Sequence, residues 1–331
     1  MGSIRIPDLV PSPTQDRMVT SCDAILYGIE LLAGWGTDEK AVIWVLGHRN
    51  ADQRKKIRDT YQHLYNESLI DRLHSELSGD FRNAVILWTL DPAERDAKLI
   101  REALDVKKNK KKSSVKELQV IVETACTTSP HHLIAVRQSY CSLFDCSLEE
   151  DISSYVNLPS LRKLLLGLVS SYRYDGEMVD GNVAKLEAAK LRDAIEKKQL
   201  DHDDVVLILS TRNIFQLKAT FECYRLDYMN PIDQDIKSCG TGDLESILQM
   251  VVQCIEAPEK HFAEVVRDSI VGLGTDEDSL TRAIVSRAEI DMMKIRGVYF
   301  DTYKSSLDNA VVDDTSGDYK DFLMTLLGAK I

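Results

Sequence analysis

Four stretches of this 331-residue chain answer to one ruler, and that period limits the fold before any single residue is considered. Counting from Arg49, tyrosines stand 12 and 16 residues on (Tyr61, Tyr65) and a leucine stands 20 on (Leu69). The same steps from Arg212 meet Tyr224, Tyr228 and Ile232, and from Arg287 they meet Tyr299, Tyr303 and Leu307. A further copy, starting at Thr128, reaches Tyr140, Phe144 and Leu148 without the arginine. Successive units are offset by 79, 84 and 75 residues, too long for common two-helix solenoid repeats. Each has room for about five short helices. Four-residue steps return side chains to one helix face, so the ladder reads as core packing rather than chemistry.

Composition supports helices and excludes several functions. Only 7% of residues are aromatic, and 16 glycines and 8 prolines leave long stretches free of breakers. The longest apolar candidate, Ala24 to Ala33, carries Glu30 and falls well short of a spanning helix. The segment Met1-Gly2-Ser3-Ile4-Arg5-Ile6 resembles neither a secretory signal nor a myristoylation site. Seven cysteines without a Cys-x-x-Cys pair fit a reducing, cytoplasmic setting. The net charge of −12 argues against nucleic acid as a partner. It also repels an acidic membrane, so attraction to one has to be switched on by a bound cation.

Two loops supply a place for that cation. Gly34-Trp35-Gly36-Thr37-Asp38-Glu39 in the first unit is matched by Gly272-Leu273-Gly274-Thr275-Asp276-Glu277 in the fourth. A carboxylate follows each threonine by 39 residues: Glu76 after Thr37, Asp314 after Thr275. On the ruler, the corresponding positions are Val115 and Tyr155 in the second unit, Gln199 and Cys239 in the third. Glycine loop and acid are therefore present together or absent together. A Gly-x-Gly-Thr turn that merely joins two helices, glycine ending one and threonine capping the next, has no need of the remote acid. Calcium does, because it takes six to eight oxygens at about 2.3–2.6 Å and glycine lets carbonyls turn inward.

On these residues the chain resembles the annexin family over essentially residues 15 to 331. Gly47-His48-Arg49-Asn50, Asp91-Pro92-Ala93-Glu94-Arg95-Asp96 and Ser316-Gly317-Asp318-Tyr319 are most similar to plant members. The resemblance implies an all-α fold of four annexin repeats, each of about five short helices, packed into a curved disc with the calcium loops on its convex face. The repeats are set at 15–88, 89–168, 180–255 and 256–331, with the second and third sites degraded. The implied metal ligands are the carbonyls of Leu32, Gly34 and Gly36 with the Glu76 carboxylate. In the fourth repeat they are the carbonyls of Ile270, Gly272 and Gly274 with Asp314, and a further carbonyl from Thr315. Trp35 and Leu273, between the loop glycines, are the expected membrane contacts. The implied function is calcium-dependent binding to acidic phospholipid membranes by a cytoplasmic protein that becomes peripheral to membranes when calcium rises.

Other residues offer competing chemistry. His48 stands where plant annexins keep a histidine linked to peroxidase-like activity, and a helix-end surface histidine is the alternative. Cys126 and Cys254 resemble a redox pair of the family, or are small buried hydrophobes. Asp314-Thr315-Ser316-Gly317 matches a short element of GTP-binding proteins, but no Walker loop accompanies it. No nucleophile-and-base constellation is present, so an enzyme is not expected. An ion-conducting form is raised by the resemblance, and no spanning segment supports it. Before the first loop, Cys22 to Leu32 is more apolar and longer than the short charged helix of the family pattern. Lys107-Lys108-Asn109-Lys110-Lys111-Lys112 replaces the loop of the second unit, either as a solvated basic loop or as an attraction for anionic lipid. Trp44 and Trp88 lie in apolar helical patterns and are expected in the core.

Overall fold

In a computed structural model, residues 38–104, 114–272 and 274–328 are described, and these contain 19 helices and no strand. The first group is α1 (Glu39–Gly47), α2 (Ala51–Tyr65), α3 (Leu69–Glu76) and α4 (Gly79–Thr89). Next come α5 (Pro92–Ala103), α6 (Val115–Thr127), α7 (Pro130–Phe144), α8 (Leu148–Tyr155) and α9 (Pro159–Ser170). The third group is α10 (Gly181–Glu196), α11 (Asp203–Thr211), α12 (Ile214–Tyr228), α13 (Ile232–Cys239) and α14 (Asp243–Glu256). The last is α15 (Pro258–Ile270), α16 (Glu277–Arg287), α17 (Met292–Tyr303), α18 (Leu307–Asp314) and α19 (Gly317–Leu326).

Local chemistry sets the boundaries of these helices. Asn50, Ser114 and Ser147 form reciprocal capping boxes with Gln53, Glu117 and Glu150, satisfying N–H groups that a helix start leaves open. Pro92, Pro130, Pro159 and Pro258 occupy first-turn positions, where a missing N–H costs nothing. The long helices α2, α7, α12 and α17 each end on a left-handed residue: Asn66, Asp145, Met229 and Lys304. Asn and Asp tolerate that conformation, whereas Met and Lys do not favour it.

The ladder lies where the ruler places it. Tyr61, Tyr140, Tyr224 and Tyr299 are fully buried, and each ring is met one turn later by Tyr65, Phe144, Tyr228 or Tyr303 with centroids 4.8 to 4.9 Å apart. The third rung, Leu69, Leu148, Ile232 or Leu307, is buried as the first residue of the next helix. Among the tryptophans the expectation divides. Trp88 is buried and its indole N–H donates to the Leu46 carbonyl at 2.8 Å. Trp44 is 60% exposed, correcting the core assignment. In α1 the inward face is taken by Val42, Ile43, Val45 and Leu46, which turns Trp44 outward.

Two separate apolar cores result. One joins the first and fourth groups of helices, from Val42 to Leu90 and from Phe262 to Leu327. The other joins the second and third, from Ala93 to Ile255. The seam between them is polar. Glu123 on α6 receives Arg282 of α16 and the His261 ring of α15, the latter at 2.9 Å. Arg287, held by Asp291 at 2.6 and 2.8 Å, donates to the Thr127 hydroxyl at 2.9 Å. A cavity of about 400 Å³ opens along this seam, with Arg95, Asp96, Glu123, His132 and Arg282 in its wall. Burial alone would push the Asp96 carboxyl up, but Arg95 and His132 outweigh it and hold it below the usual range. Among the described residues no helix is long and apolar enough to cross a membrane.

Candidate metal centre

The fourth-unit loop is built from a helix end, two glycines and a returning acid. α15 stops at Ile270, and Gly272 (φ +140°) and Gly274 (φ +87°) then adopt backbone conformations that side-chain-bearing residues rarely take. A Cβ at either position meets no atom within 4 Å, so conformation alone demands glycine there. The loop closes with the Asp276 N–H donating to the Ser269 carbonyl at 2.7 Å. Asp276 then caps α16 by accepting from the Ser279 N–H at 3.3 Å.

Asp314, the last residue of α18, meets this loop. The Thr275 hydroxyl donates to Asp314 Oδ2 at 2.6 Å and lies 3.1 Å from the Asp314 carbonyl. Among the described residues nothing donates to Asp314 Oδ1, nor to the carbonyls of Ile270, Gly272, Gly274 or Thr315. The Thr315 hydroxyl turns back to the Val311 carbonyl, leaving its own carbonyl beside the acid. The donor set on offer is therefore oxygen only, mostly main-chain. That suits a hard cation such as calcium and not zinc or copper, which favour nitrogen and sulfur. Among the described residues no group of three or more His, Cys, Asp and Glu could hold a metal by side chains alone.

The first-unit site is visible from one side. Glu76 ends α3, its Oε1 is 3.0 Å from Arg72 Nη2, and the chain then turns through Gly79 at φ +61°. The fourth unit repeats that turn at Gly317, with φ +60°. Leu32, Gly34, Trp35 and Gly36 lie outside the described residues, as do Leu273 and the lysines from 107 to 112.

In the third unit the corresponding helix end is occupied by its own backbone. Ile195 stands 17 residues before Arg212 as Ile270 does before Arg287, and its carbonyl is taken by the Lys198 N–H at 3.0 Å. Lys198 is itself left-handed (φ +54°), and the Gln199 N–H bonds the Ala194 carbonyl at 2.8 Å. The helix end thus satisfies itself. Cys239 fills the place of the acid, and burial pushes its thiol above the ordinary range, so it offers no anionic ligand. Sequence reasoning found the missing acid but not the self-capped helix end, for which Lys198 gives no visible signal.

His48 stands exposed at the end of α1, its ring 4.7 Å from that of Trp44 and its Nδ1 3.2 Å from the Trp44 carbonyl. Cys126 and Cys254 are both buried. Burial pushes the Cys126 thiol up to about 11 and the Cys254 thiol well above the usual value, which suppresses the reactive thiolate. Both side chains behave as small apolar residues of the core.

Comparison with known proteins gives a consistent result. The annexin family model matches residues 30–88, 186–251 and 261–326. Annexin D3 of Arabidopsis thaliana is 58% identical over 332 aligned positions, covering 100% of both chains. The solved structure of annexin III superimposes with a TM-score of 0.85 at 31% identity, covering 96% of this chain and 97% of that one. A calcium-bound annexin (Sm)1 structure gives a TM-score of 0.81 at 27% identity, covering 93% and 90%.

Proposed function

The chain belongs to the annexin family, as a plant annexin, and on that footing we propose that it binds acidic phospholipid membranes through calcium held in its first and fourth units. The family in general binds phospholipid in a calcium-dependent way. The observation that carries the finer reading is the contact between Thr275 and Asp314, 39 residues apart in sequence and 2.6 Å apart in space. It sets a carboxylate against a loop whose carbonyls have no other partner among the described residues.

In this reading the carbonyls of Ile270, Gly272, Gly274 and Thr315 and the Asp314 carboxylate hold the ion in the fourth unit. The carbonyls of Leu32, Gly34 and Gly36 with Glu76 hold it in the first. Calcium so held offers coordination positions to a headgroup phosphate. Trp35 and Leu273, which stand between the loop glycines in the sequence, enter the headgroup layer. The units are bounded at 15–88, 89–168, 180–255 and 256–331, and the chain works from the cytoplasm.

Such partly open oxygen sites bind calcium weakly by themselves, on the order of 10⁻⁴–10⁻³ M. Two sites on one bilayer raise the apparent affinity through effective concentration. Sedimentation with phosphatidylserine vesicles tests the reading. Binding is expected to require calcium and to be lost on chelation and in the double variant Glu76→Gln, Asp314→Asn. Retention under either condition overturns it.

A further inference from the structure

The loop of the fourth unit has a neighbour from a different unit. Lys116, in the first turn of α6, reaches across the seam and places its Nζ 2.5 Å from Asp276 Oδ2. Asp276 adjoins Thr275, which holds Asp314, and it begins the run Asp276-Glu277-Asp278. An arriving anion therefore meets three consecutive acids at the rim of this loop. The Lys116 ammonium is the opposing charge provided there.

The geometry of that charge suits more than neutralising Asp276. The Lys116 side chain is 67% exposed, while that of Asp276 is 30% exposed and anchored by its cap to α16. An ammonium carries three N–H donors, more than the single Asp276 oxygen paired with it can occupy. The exposed group therefore keeps donor capacity beside a carboxylate fixed to the same turn as the loop. We propose that Lys116 selects the headgroup at the fourth-unit site, accepting the second anionic group of a lipid whose phosphate is bound in the loop. The inference rests on the calcium reading above and names its preferred ligand class: lipids with an anionic group beyond the phosphodiester, of which phosphatidylserine is the probe.

The test compares Lys116→Met with wild type on two vesicle types of equal surface charge. One contains phosphatidylcholine with phosphatidylserine, which adds a carboxylate; the other contains phosphatidylcholine with phosphatidylglycerol, which adds none. Lys116→Met is expected to weaken calcium-dependent binding to the serine vesicles about fivefold, with binding to the glycerol vesicles little changed. Equal loss on both makes Lys116 a contributor of diffuse charge, and no loss removes it from the contact; either overturns the proposal. Wild type that ignores calcium on both vesicles instead overturns the underlying reading. Acetic anhydride labelling gives a second readout: the Lys116 amine should be shielded by serine vesicles with calcium and labelled freely with glycerol vesicles.

Discussion

The thiol of Cys239 lies 3.5 Å from the carbonyl of Ile195, bringing together in the third unit the two positions that Asp314 and Ile270 occupy in the fourth. The fold delivers this position to the neighbouring loop in both units, whether an acid or a thiol occupies it. Restoring the acid alone is therefore not expected to restore a site. Cys239→Asp would set a carboxylate against a carbonyl already bonded to the Lys198 N–H, beside a left-handed lysine rather than glycines. The expected outcome is a lower melting temperature and an unchanged calcium midpoint for vesicle binding. A lowered midpoint would show that the loop can refold around the ion.

Buried tyrosines at one rung of the ladder have different partners, and hydroxyl removal should read the difference. Tyr224 donates to Asp235 at 2.8 Å and Tyr140 donates to Asp151, with Arg192 and Arg101 completing each cluster. In the fourth unit the matching position is Ala310, and the buried Tyr299 hydroxyl has no hydrogen-bond partner among the described residues. A hydrogen bond to a charged group contributes about 1.5–3 kcal/mol, whereas an unsatisfied buried hydroxyl contributes none. Tyr224→Phe is expected to lower the melting temperature by several degrees, and Tyr299→Phe to leave it unchanged or raise it. Calorimetry of the two variants checks this, and equal losses would refute it.

The seam carries a pH dependence. Burial lowers the His261 pKa to about 4, from 6.5 for an ordinary imidazole, and the Glu123 beside it is also engaged by Arg282. Between those values the unfolded chain binds the proton more readily than the folded one. Stability from this group is therefore complete above the unfolded value and falls as pH drops from 6.5 toward 4. The melting temperature should fall more steeply across that interval in wild type than in His261→Gln, which keeps a donor for Glu123 and cannot titrate. Parallel curves would show that His261 does not report on the seam.

Much of this architecture could be read from residue identities, because periodic burial leaves a local trace. Tyr61, Tyr140, Tyr224 and Tyr299 could be aligned by counting, and the loop glycines declared a backbone demand that Gly272 and Gly274 meet with positive φ. Trp44 faces solvent despite its apolar pattern, because apolar character does not say which way a residue faces in a helix whose neighbours on both sides are also apolar. The contact of Lys116 with Asp276 was not legible at all. It joins residues 160 positions apart across a polar seam, where no periodicity marks which charges meet. The pairing of first with fourth and second with third units in two cores escaped for the same reason.

The two proposed calcium acids differ in their electrostatic setting, and this makes their affinities separable. One turn before Glu76 stands Arg72, with its guanidinium 3.0 Å from Oε1; one turn before Asp314 stands Ala310. A cation entering the first unit must share Glu76 with that arginine, whereas one entering the fourth meets no such competitor at the same position. Both side chains of the pair are 30% exposed, so solvent limits the competition to about 0.2–1 kcal/mol, or roughly a factor of one and a half to five in affinity. In an Asp314→Asn background, which isolates the first unit, Arg72→Ala is expected to lower the calcium needed for half-maximal vesicle binding by about that factor. In a Glu76→Gln background, Ala310→Arg should raise it similarly for the fourth. If Arg72→Ala instead raises the requirement, the arginine orients Glu76 toward the loop rather than competing for it.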